Sequence, residues 1–159
     1  MCPEGDRNME TGFHIRKATQ ADADALFDLL MELAISFQPS REAFDFSLRE
    51  LLSTPDCWLC VAEEDQAIVG YCLGFDHYTF YANGRVSLVE EIIVKPGKRR
   101  TGIGQSLIGA FEKWAEARNS KLVAIATSRA APFYLALGYK ERATVFRKIL
   151  PSSRKNTMK

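Results

Sequence analysis

The apolar and polar positions of this 159-residue chain change period several times, and each change predicts a secondary-structure element. Runs rich in β-branched and aromatic residues predict strands, and apolar residues three and four positions apart predict helices. The predicted strands cover residues 13–17, 58–63, 67–75, 86–94, 122–126, 139–141 and 144–148. The predicted helices begin after Thr19, at Pro39-Ser40, after Gly104 and at Ala130.

Short polar segments between these runs indicate how the elements connect. Thr19 and Asp22 have the spacing of a capping box, and residues 64–66 form a tight turn that joins two strands into a hairpin. Residues 76–83 are predicted to be a loop, which ends in an Asn83-Gly84 turn. The strand–helix–strand order in the second half indicates a parallel pair joined by a right-handed crossover. The pattern therefore predicts one mixed α/β domain, largely antiparallel in its first half.

Bulk composition narrows the class of protein without indicating a reaction. The length suits one domain, with 1–11 as a polar arm, 12–150 as the folded domain and 151–159 as a polar tail. A net charge of +1 with interspersed acids and bases argues against nucleic-acid binding. There is no apolar run of about 18 residues for a membrane span, and residues 1–11 lack the apolar core of a signal peptide. We therefore expect a cytoplasmic protein with neither nucleic acid nor a membrane as its partner.

The chain has four cysteines, which raises the question of a metal or redox site. Cys57 and Cys60 have the Cys-x-x-Cys spacing, but residues three apart on a strand point to opposite faces. A structural zinc site needs a full set of ligands, and the chain has no second Cys pair and only 2 histidines. We therefore expect reduced, half-buried cysteines and no metal.

The stretch from Glu90 to Gln105 carries the strongest chemical signal. A β-branched strand ends at Pro96-Gly97, and an amphipathic helix follows. Between them lie positively charged residues and two glycines, namely Lys98, Arg99, Arg100, Gly102 and Gly104. A helix N-terminus has unpaired backbone N–H groups and a partial positive charge, and glycine lets an oxyanion approach closely. The loop is therefore predicted to bind a pyrophosphate, the alternative being that its arginines are merely solvated.

Two common phosphate motifs do not fit this loop. The dinucleotide fingerprint needs a third glycine where Leu107 stands, and the P-loop needs a lysine where Gln105 stands. What remains resembles the acetyl-CoA loop of the GCN5-related N-acetyltransferases (the GNAT family). The motif is Val-x-Pro followed by Arg-x-x-Gly-x-Gly, at Val94, Pro96, Arg99, Gly102 and Gly104.

A second motif downstream strengthens the resemblance, which covers roughly residues 13 to 150. Residues 130–139 are similar to the family's Phe-Tyr-x-x-x-Gly-Tyr/Phe signature. Two positions depart from the family pattern, because Arg100 stands where glycine is frequent and Thr127 where asparagine is frequent. The first departure would alter how the diphosphate is held, and the second would weaken a contact to the pantetheine arm.

The resemblance implies both a fold and a ligand. The fold is a GNAT-like acyl-CoA N-acyltransferase fold, with a central mixed, twisted sheet of about six to seven strands flanked by about four helices. Two parallel strands splay apart in this fold, and the pantetheine arm of acetyl-CoA enters the gap. The implied contacts to acetyl-CoA come from Ile92, Ile93, Val94, Arg99, Arg100, Thr101, Gly102, Ile103, Gly104, Gln105, Thr127 and Tyr134.

Acetyl transfer to an amine needs a proton acceptor, donors for the thioester oxygen and a proton for the departing thiolate. The resemblance implies Tyr134 as the acid, although its spacing alone suits a packing aromatic. Glu90 is the candidate base, because a charge in an apolar strand is costly without a task, and the alternative is a salt-bridged structural acid. Glu91 is the reserve base, on the opposite face of the strand. The backbone N–H groups of residues 92–94 are the implied donors to the carbonyl oxygen.

Aromatic residues that precede the loop strand are candidates for the acceptor pocket. The candidates for lining this pocket are His77, Tyr78, Tyr81 and Phe37. Phe80, Phe44 and Phe46 could line it together with them. The presence of these aromatic residues is explained equally well if they pack in the core or lie at the edge of a hairpin. The carboxylates of Asp76 and Glu90 would suit a cationic amine.

The sequence as a whole predicts an acetyl-CoA-dependent N-acetyltransferase that transfers acetyl directly to a primary amine of a small molecule. A covalent acetyl-cysteine route is disfavoured, because no cysteine lies between Glu90 and Tyr134. The alternatives are a protein or peptide N-acetyltransferase and a non-catalytic acyl-CoA-binding regulatory module. Family members are often dimers, and since the sequence has no interface signal, a homodimer is left open.

Overall fold

A single five-stranded sheet is the framework of the fold. The computed structural model describes residues 12–33 and 37–151. The strands lie in chain order across the sheet, with β1–β4 antiparallel and β5 parallel to β4. They are β1 Phe13–Lys17, β2 Cys57–Glu64, β3 Ala67–Thr79, β4 Gly84–Val94 and β5 Val123–Ile125. The helices are α1 Ala23–Leu33, α2 Arg41–Ser53, α3 Ile103–Ala117 and α4 Ala131–Ala136.

The two helices between β1 and β2 start where the sequence predicts. Thr19 and Asp22 form the predicted capping box of a 3-10 turn that leads into α1. The Ser40 side chain accepts a hydrogen bond from the Ala43 N–H and caps α2, in keeping with the preference of serine for this position. Asp65 and Gln66 both have positive φ, which suits the tight turn of the β2–β3 hairpin.

The two faces of the sheet have separate cores. Helices α1 and α2 cover one face, where Leu26, Leu29 and Leu48 join Tyr71 and Ile93 in one buried cluster. Helix α3 covers the other face through a row of buried apolar side chains, namely Ile103, Leu107, Ile108, Phe111 and Ala115.

Two glycines on β3 let α3 approach the sheet closely. A Cβ added at Gly70 would lie 2.8 Å from the Ile93 carbonyl oxygen and 3.3 Å from Leu107. A Cβ at Gly74 would overlap the Phe111 ring and lie 2.6 Å from the Leu88 carbonyl oxygen. Alternate residues of a strand share a face, so the even-numbered residues around Gly70 and Gly74 face α3, and Tyr71 and Leu73 face α1 and α2.

The hairpin of β3 and β4 is longer than predicted. Residues 76–79 were expected to be a loop, but they continue β3 and pair with β4 down to Thr79–Gly84. The sequence of this segment is polar and lacks the apolar alternation that indicates a strand. Backbone pairing with β4 and ion pairs stabilise the segment instead. The connection shrinks to residues 80–83, and Asn83 takes the positive φ expected of an Asn-Gly turn.

The prediction of two further strands was wrong. Residues 139–141 and 144–148 have no strand structure, so the described residues form five strands rather than six to seven. The segment does alternate in polarity, but Val145 and Phe146 are 67% and 92% exposed. An isolated two-stranded hairpin is marginally stable, and alternation alone does not supply the third strand that it needs.

The chain forms two compact units, the first ending at Ile125 and the second beginning at Ala126. The second contains α4, with Pro132 in its first turn and Gly138 at a φ of +90° just after its end. The predicted arm at 1–11 and the tail beyond Pro151 lie outside the described residues. The boundaries of the predicted domain, 12–150, stay a prediction.

Candidate active site

Strand β4 extends beyond the end of its parallel neighbour, β5. It pairs with β5 only at Ser87–Val123, Leu88–Ala124 and Val89–Ile125. Residues 90–94 continue the strand with β3 on one side and no partner strand on the other among the described residues. Backbone N–H and C=O groups on that side are open to a ligand. The splaying of two parallel strands that the resemblance implies stays a prediction.

A β-bulge marks the point where the pairing with β5 ends. On β3 the neighbours Leu73 and Gly74 face Glu91 and Val89, so Glu90 has no partner in the register. A bulge re-aims side chains and changes which face the following residues occupy. Glu90 is exposed, whereas Glu91 is half-buried.

Glu91 lies on the face covered by α1 and α2, and its carboxylate is held by a buried tyrosine. The Tyr71 hydroxyl donates a hydrogen bond to Glu91 Oε2 at 2.9 Å. Burial raises the pKa of Glu91 above its usual range, the charge of Glu90 raises it further, and the Tyr71 hydrogen bond opposes both. Burial also raises the pKa of Tyr71, so its hydroxyl stays protonated and able to donate.

The loop after β4 is tied to the strands that precede it. A 3-10 turn at Pro96–Lys98 starts it, and Lys98 forms an ion pair with Glu64 at the end of β2. Arg99 Nε donates to the Val94 carbonyl oxygen at 3.2 Å, and Thr101 Oγ1 donates to the Lys98 carbonyl oxygen at 2.6 Å. These contacts give the loop a defined shape without a ligand.

The start of α3 has the properties of an anion site. Gly102 is the N-cap, with a φ of +88° that favours glycine, and it has no side chain to cap the helix. A Cβ there would meet nothing within 4 Å, so the space in front of the helix is open. The first helical hydrogen bond runs from the Ser106 N–H to the Gly102 carbonyl oxygen at 3.0 Å, and it leaves the N–H groups of 103–105 without an intrahelical acceptor.

Arg100 has a strained backbone. Its φ is +61°, in the left-handed region where residues with a Cβ are rare. The sequence departs from the family pattern at this position, where glycine is frequent, and the backbone has a physical reason to favour glycine. The Arg100 side chain is exposed beside the open start of α3.

Tyr134 and Thr127 lie in the second unit. Tyr134 is 5% exposed and packs against Phe133 and Tyr139, with ring centroids 4.9 Å and 5.7 Å away. Thr127 Oγ1 accepts hydrogen bonds from the N–H groups of Arg129 and Ala130, which shapes the turn before α4. Both of these bonds use the Thr127 hydroxyl as an acceptor, so its proton can still be donated to another group.

The strand register sets His77 and Tyr78, two of the predicted acceptor residues, apart from Glu90 along the sheet. His77 pairs with Val86 on β4, about 13 Å along the strand from Glu90 at the usual rise per residue. Tyr78 and Tyr81, near the hairpin tip, are 73% and 76% exposed, and Phe37 before α2 is 67% exposed. Their role in acceptor binding stays a prediction.

Asp76 does not offer a free charge to an amine. Its side chain is fully buried, and it forms ion pairs with Arg85 at 2.8 Å and with Arg118. Arg85 and Arg118 also contact the partly exposed Asp56, and Arg85 stacks over Tyr78 with 4.4 Å to the ring centroid. This cluster joins β3, β4 and the end of α3 at the closed end of the hairpin.

The cysteines in the described part of the chain are reduced strand residues. Cys60 and Cys72 are fully buried and face each other across β2 and β3, and all of Cys57, Cys60 and Cys72 are free thiols. Burial raises the pKa of the Cys57 thiol to about 11. Within residues 12–33 and 37–151, no group of His, Cys, Asp and Glu side chains is arranged to hold a metal ion. No helix in these ranges is both long enough and apolar enough to span a bilayer.

Sequence reasoning missed two features of the site. The bulge at Glu90 leaves no signature in a single sequence, because it depends on how β3 pairs with β4. Tyr71 lies inside the predicted strand 67–75, where nothing in the sequence signals a contact with Glu91, and only the register shows that it reaches this carboxylate. The signal for this part of the site that the sequence does contain is a pair of adjacent glutamates in an apolar strand.

Comparison with known sequences identifies the family of this chain. The model of the acetyltransferase (GNAT) domain matches residues 55–141, which is more than half of the chain. The chain is also 28% identical over 144 residues to an aminoalkylphosphonate N-acetyltransferase of Salmonella typhimurium, and the match covers 86% of this chain and 90% of that protein.

Solved structures share the fold. The crystal structure of glucosamine-6-phosphate N-acetyltransferase from Arabidopsis thaliana has a TM-score of 0.78 at 23% identity, over 87% of this chain and 99% of that one. The aminoglycoside N-acetyltransferase AAC(6')-Iy in complex with CoA has a TM-score of 0.75 at 20% identity, over 93% and 99%. The domain match establishes that the chain belongs to the GNAT family and is an N-acetyltransferase, and the solved structures share its fold.

Proposed function

We propose that this protein transfers acetyl from acetyl-CoA directly to a primary amine of a small molecule. The observation that carries the proposal is the open end of β4, which lies next to a helix start without a side-chain cap. Backbone groups of residues 90–94 suit the amides of a pantetheine arm, and the N–H groups of 103–105 suit a diphosphate. These are two chemically different parts of coenzyme A, and the chain places their binding groups in succession.

The charges of the loop fit a diphosphate as well. Lys98 is neutralised by Glu64, and Arg99 is folded back onto the end of β4, whereas Arg100 extends into solvent. In this proposal the N–H groups at the start of α3 bind the diphosphate, with Thr101 and Ile103 beside them, and Arg99 and Arg100 supply positive charge. Thr127 supplies its hydroxyl proton to the pantetheine arm.

Direct transfer is favoured over an acetyl-cysteine intermediate. A covalent route needs a thiolate, but burial raises the pKa of the Cys57 thiol, and the hydrogen bond with Cys60 together with burial raises the pKa of Cys72. Cys60 and Cys72 are also inaccessible to a substrate. The amine therefore attacks the thioester carbon itself, and the C–S bond breaks as the new C–N bond forms.

Three groups of this chain have roles in the transfer. A carboxylate of the Glu90–Glu91 pair takes the proton from the ammonium group, so that a free amine attacks. Backbone N–H groups of residues 92–94 donate to the carbonyl oxygen as it gains negative charge. Tyr134 gives its phenolic proton to the departing thiolate of coenzyme A, and its phenolate takes up the second proton that the nitrogen releases as the amide forms.

The acceptor is proposed to be a small molecule with a positively charged amine. Adjacent carboxylates at Glu90 and Glu91 attract such a group, and the named relatives include acetyltransferases of aminoalkylphosphonates and aminoglycosides. The proposed cytoplasmic location and a homodimer remain predictions.

An acceptor screen tests the reaction. Purified protein is incubated with acetyl-CoA and one amine at a time, and free coenzyme A thiol is measured. The panel contains aminoalkylphosphonates, amino-sugar phosphates, aminoglycosides, diamines and short peptides. We expect turnover with at least one small amine and little with peptides. Turnover with peptides alone would replace the proposal with a peptide acetyltransferase, and coenzyme A binding without turnover on any amine would favour a regulatory module.

The role of Tyr134 has its own test. Tyr134→Phe removes only the phenolic proton donor, so kcat should fall about 100-fold while the Kd for coenzyme A stays within a factor of two, as expected for loss of a general acid. Tyr139→Phe is the matched control, because it removes a hydroxyl from the neighbouring ring. Equal turnover in Tyr134→Phe would remove this residue from the mechanism.

A further inference from the structure

We infer that Tyr71 is a positioning residue of the active site, which holds the Glu91 carboxylate on the α1/α2 face of the sheet as the proton acceptor for the amine. This inference rests on the proposed function and chooses between the two adjacent glutamates that it left open. It also assigns a task to a core tyrosine that no part of the proposed mechanism has used.

The register separates the two glutamates. Because the bulge falls at Glu90, the residue after it stands opposite Leu73, which belongs to the buried cluster under α1 and α2. Glu91 is thereby set on that face together with Ile93, and it is half-buried. Glu90 lies exposed at the bulge, where nothing in the described residues fixes its side chain. A base that must meet a substrate in one geometry needs a fixed position.

Tyr71 provides that fixed position. It pairs with Ile93, so Glu91 is its diagonal neighbour on the same face, within reach of a long side chain. The Tyr71 ring is 4% exposed and packs in the apolar cluster, so its rotamer is fixed by packing. Its hydroxyl donates to Glu91 Oε2 at 2.9 Å. One carboxylate oxygen is thus occupied, and Oε1 remains to accept a proton.

The surroundings of Glu91 suit a base. Tyr71 from β3 and Glu90 from β4 are the titratable groups that act on its carboxylate. The side chains of α1 and α2 in the same buried cluster are apolar, and include Leu26, Leu29 and Leu48. Burial raises the pKa of Glu91, and a carboxylate with a raised pKa is a better proton acceptor near neutral pH. The Tyr71 hydrogen bond opposes this rise and thereby favours the ionised form of the carboxylate.

The test is the pH dependence of Tyr71→Phe. This variant keeps the ring in the core and deletes only the donor. We expect kcat to fall about tenfold, the size of a lost hydrogen bond to a charged group, with the KM for acetyl-CoA unchanged. Because the lost hydrogen bond had lowered the pKa of Glu91, the acidic limb of the kcat/KM profile should move to higher pH. Unchanged kcat together with an unmoved acidic limb would overturn the inference.

Ser87→Ala is the matched control. Ser87 is a fully buried hydroxyl on the same strand, and its Oγ lies 2.6 Å from Ser120 Oγ in the part of β4 that pairs with β5. The control loses a buried hydrogen bond of similar kind, so it should lose stability to a similar extent. Its pH profile should match that of the wild type. A shifted profile in Ser87→Ala would mean that the profile reports stability, which would overturn the assignment to Tyr71.

A second measurement needs no turnover. The titration of the Glu91 carboxyl carbon is followed by NMR in the wild-type protein and in Tyr71→Phe, without substrate. We expect a higher midpoint in the variant, and equal midpoints would overturn the inference even if the enzyme is active. If no amine in the panel is acetylated but the midpoint moves, then the proposed function fails while the link between Tyr71 and Glu91 stands.

Discussion

The two halves of β4 belong to one strand and have different surroundings. The first half, Gly84–Val89, has β3 on one side and reaches β5 on the other, and the ion pairs of Asp76 with Arg85 and Arg118 flank it. The second half, Glu90–Val94, begins at a bulge, has β3 alone beside it and leads into the loop before α3.

This difference separates the half of β4 whose contacts stabilise the fold from the half that we propose binds a ligand. In the first half the buried charge of Asp76 has partners, and the buried hydroxyl of Ser87 has one as well. In the second half a half-buried carboxylate has a raised pKa and the backbone has an open side, and in the loop that follows it Arg100 is strained. Groups that are costly to leave unsatisfied in a folded protein are expected where a ligand satisfies them. Substitutions in the two halves should therefore affect different measurements.

The largest loss of stability is expected at the boundary of the halves. Gly74→Ala places a Cβ against Phe111 and 2.6 Å from the Leu88 carbonyl oxygen, so the free energy of unfolding should fall by about 3 kcal/mol. Urea denaturation measures it. Gly109→Ala is the control, since a Cβ there meets nothing within 4 Å and α3 should become about 0.5–1 kcal/mol more stable. Similar values for the two variants would show that β3 and α3 are not closely packed.

The ion cluster tests the first half alone. Asp76→Asn leaves Arg85 and Arg118 without their buried counter-charge, and since both arginines are partly exposed we expect a loss of about 2 kcal/mol. The Kd for coenzyme A, measured by calorimetry, should stay the same. The control Asp56→Asn, at a side chain that is 52% exposed, should lose at most about 0.5 kcal/mol. Weaker binding of coenzyme A by folded Asp76→Asn would contradict the division into two halves.

Arg100→Gly tests the loop that follows the second half of β4, and here we expect stability to rise rather than fall. Glycine relieves the backbone strain at a φ of +61°, so thermal unfolding should show a gain of about 1 kcal/mol. Because the guanidinium is lost, the affinity for coenzyme A should fall, and the fall should shrink in high salt. A variant that is both less stable and unchanged in binding would refute both roles of this position.

The smallest effect is the dependence of stability on pH that arises from Glu91. Its pKa is higher in the folded protein than the ordinary value of 4.5, so its contribution to stability is fully present below pH 4.5 and is lost as the pH rises through the folded value. Glu91→Gln does not titrate, and it should match the wild type in acid and exceed it in stability at neutral pH. Urea denaturation at several pH values measures the difference. A variant that is less stable than the wild type at neutral pH would contradict the raised pKa.

Most of the fold could be predicted from the sequence, because its signals are local. The capping box at Thr19, the turn at Asp65–Gln66 and the strand–loop–helix from β4 to α3 each depend on neighbouring residues. The extension of β3 to Thr79 and the lack of strands in residues 139–151 depend on long-range pairing, which periodicity does not report. The site divides in the same way. Gly102 is evident in the motif, whereas the contact of Tyr71 with Glu91 follows from register.

Hydrogen exchange of the β4 amides, with and without coenzyme A, tests the central claim most directly. The account predicts that the ligand slows exchange at the amides of residues 90–94 that do not bond to β3, and at 103–105, while Ser87–Val89 are already protected and do not change. If coenzyme A binds and leaves residues 90–94 and 103–105 unchanged, then the open half of β4 is not the binding site and the account is wrong.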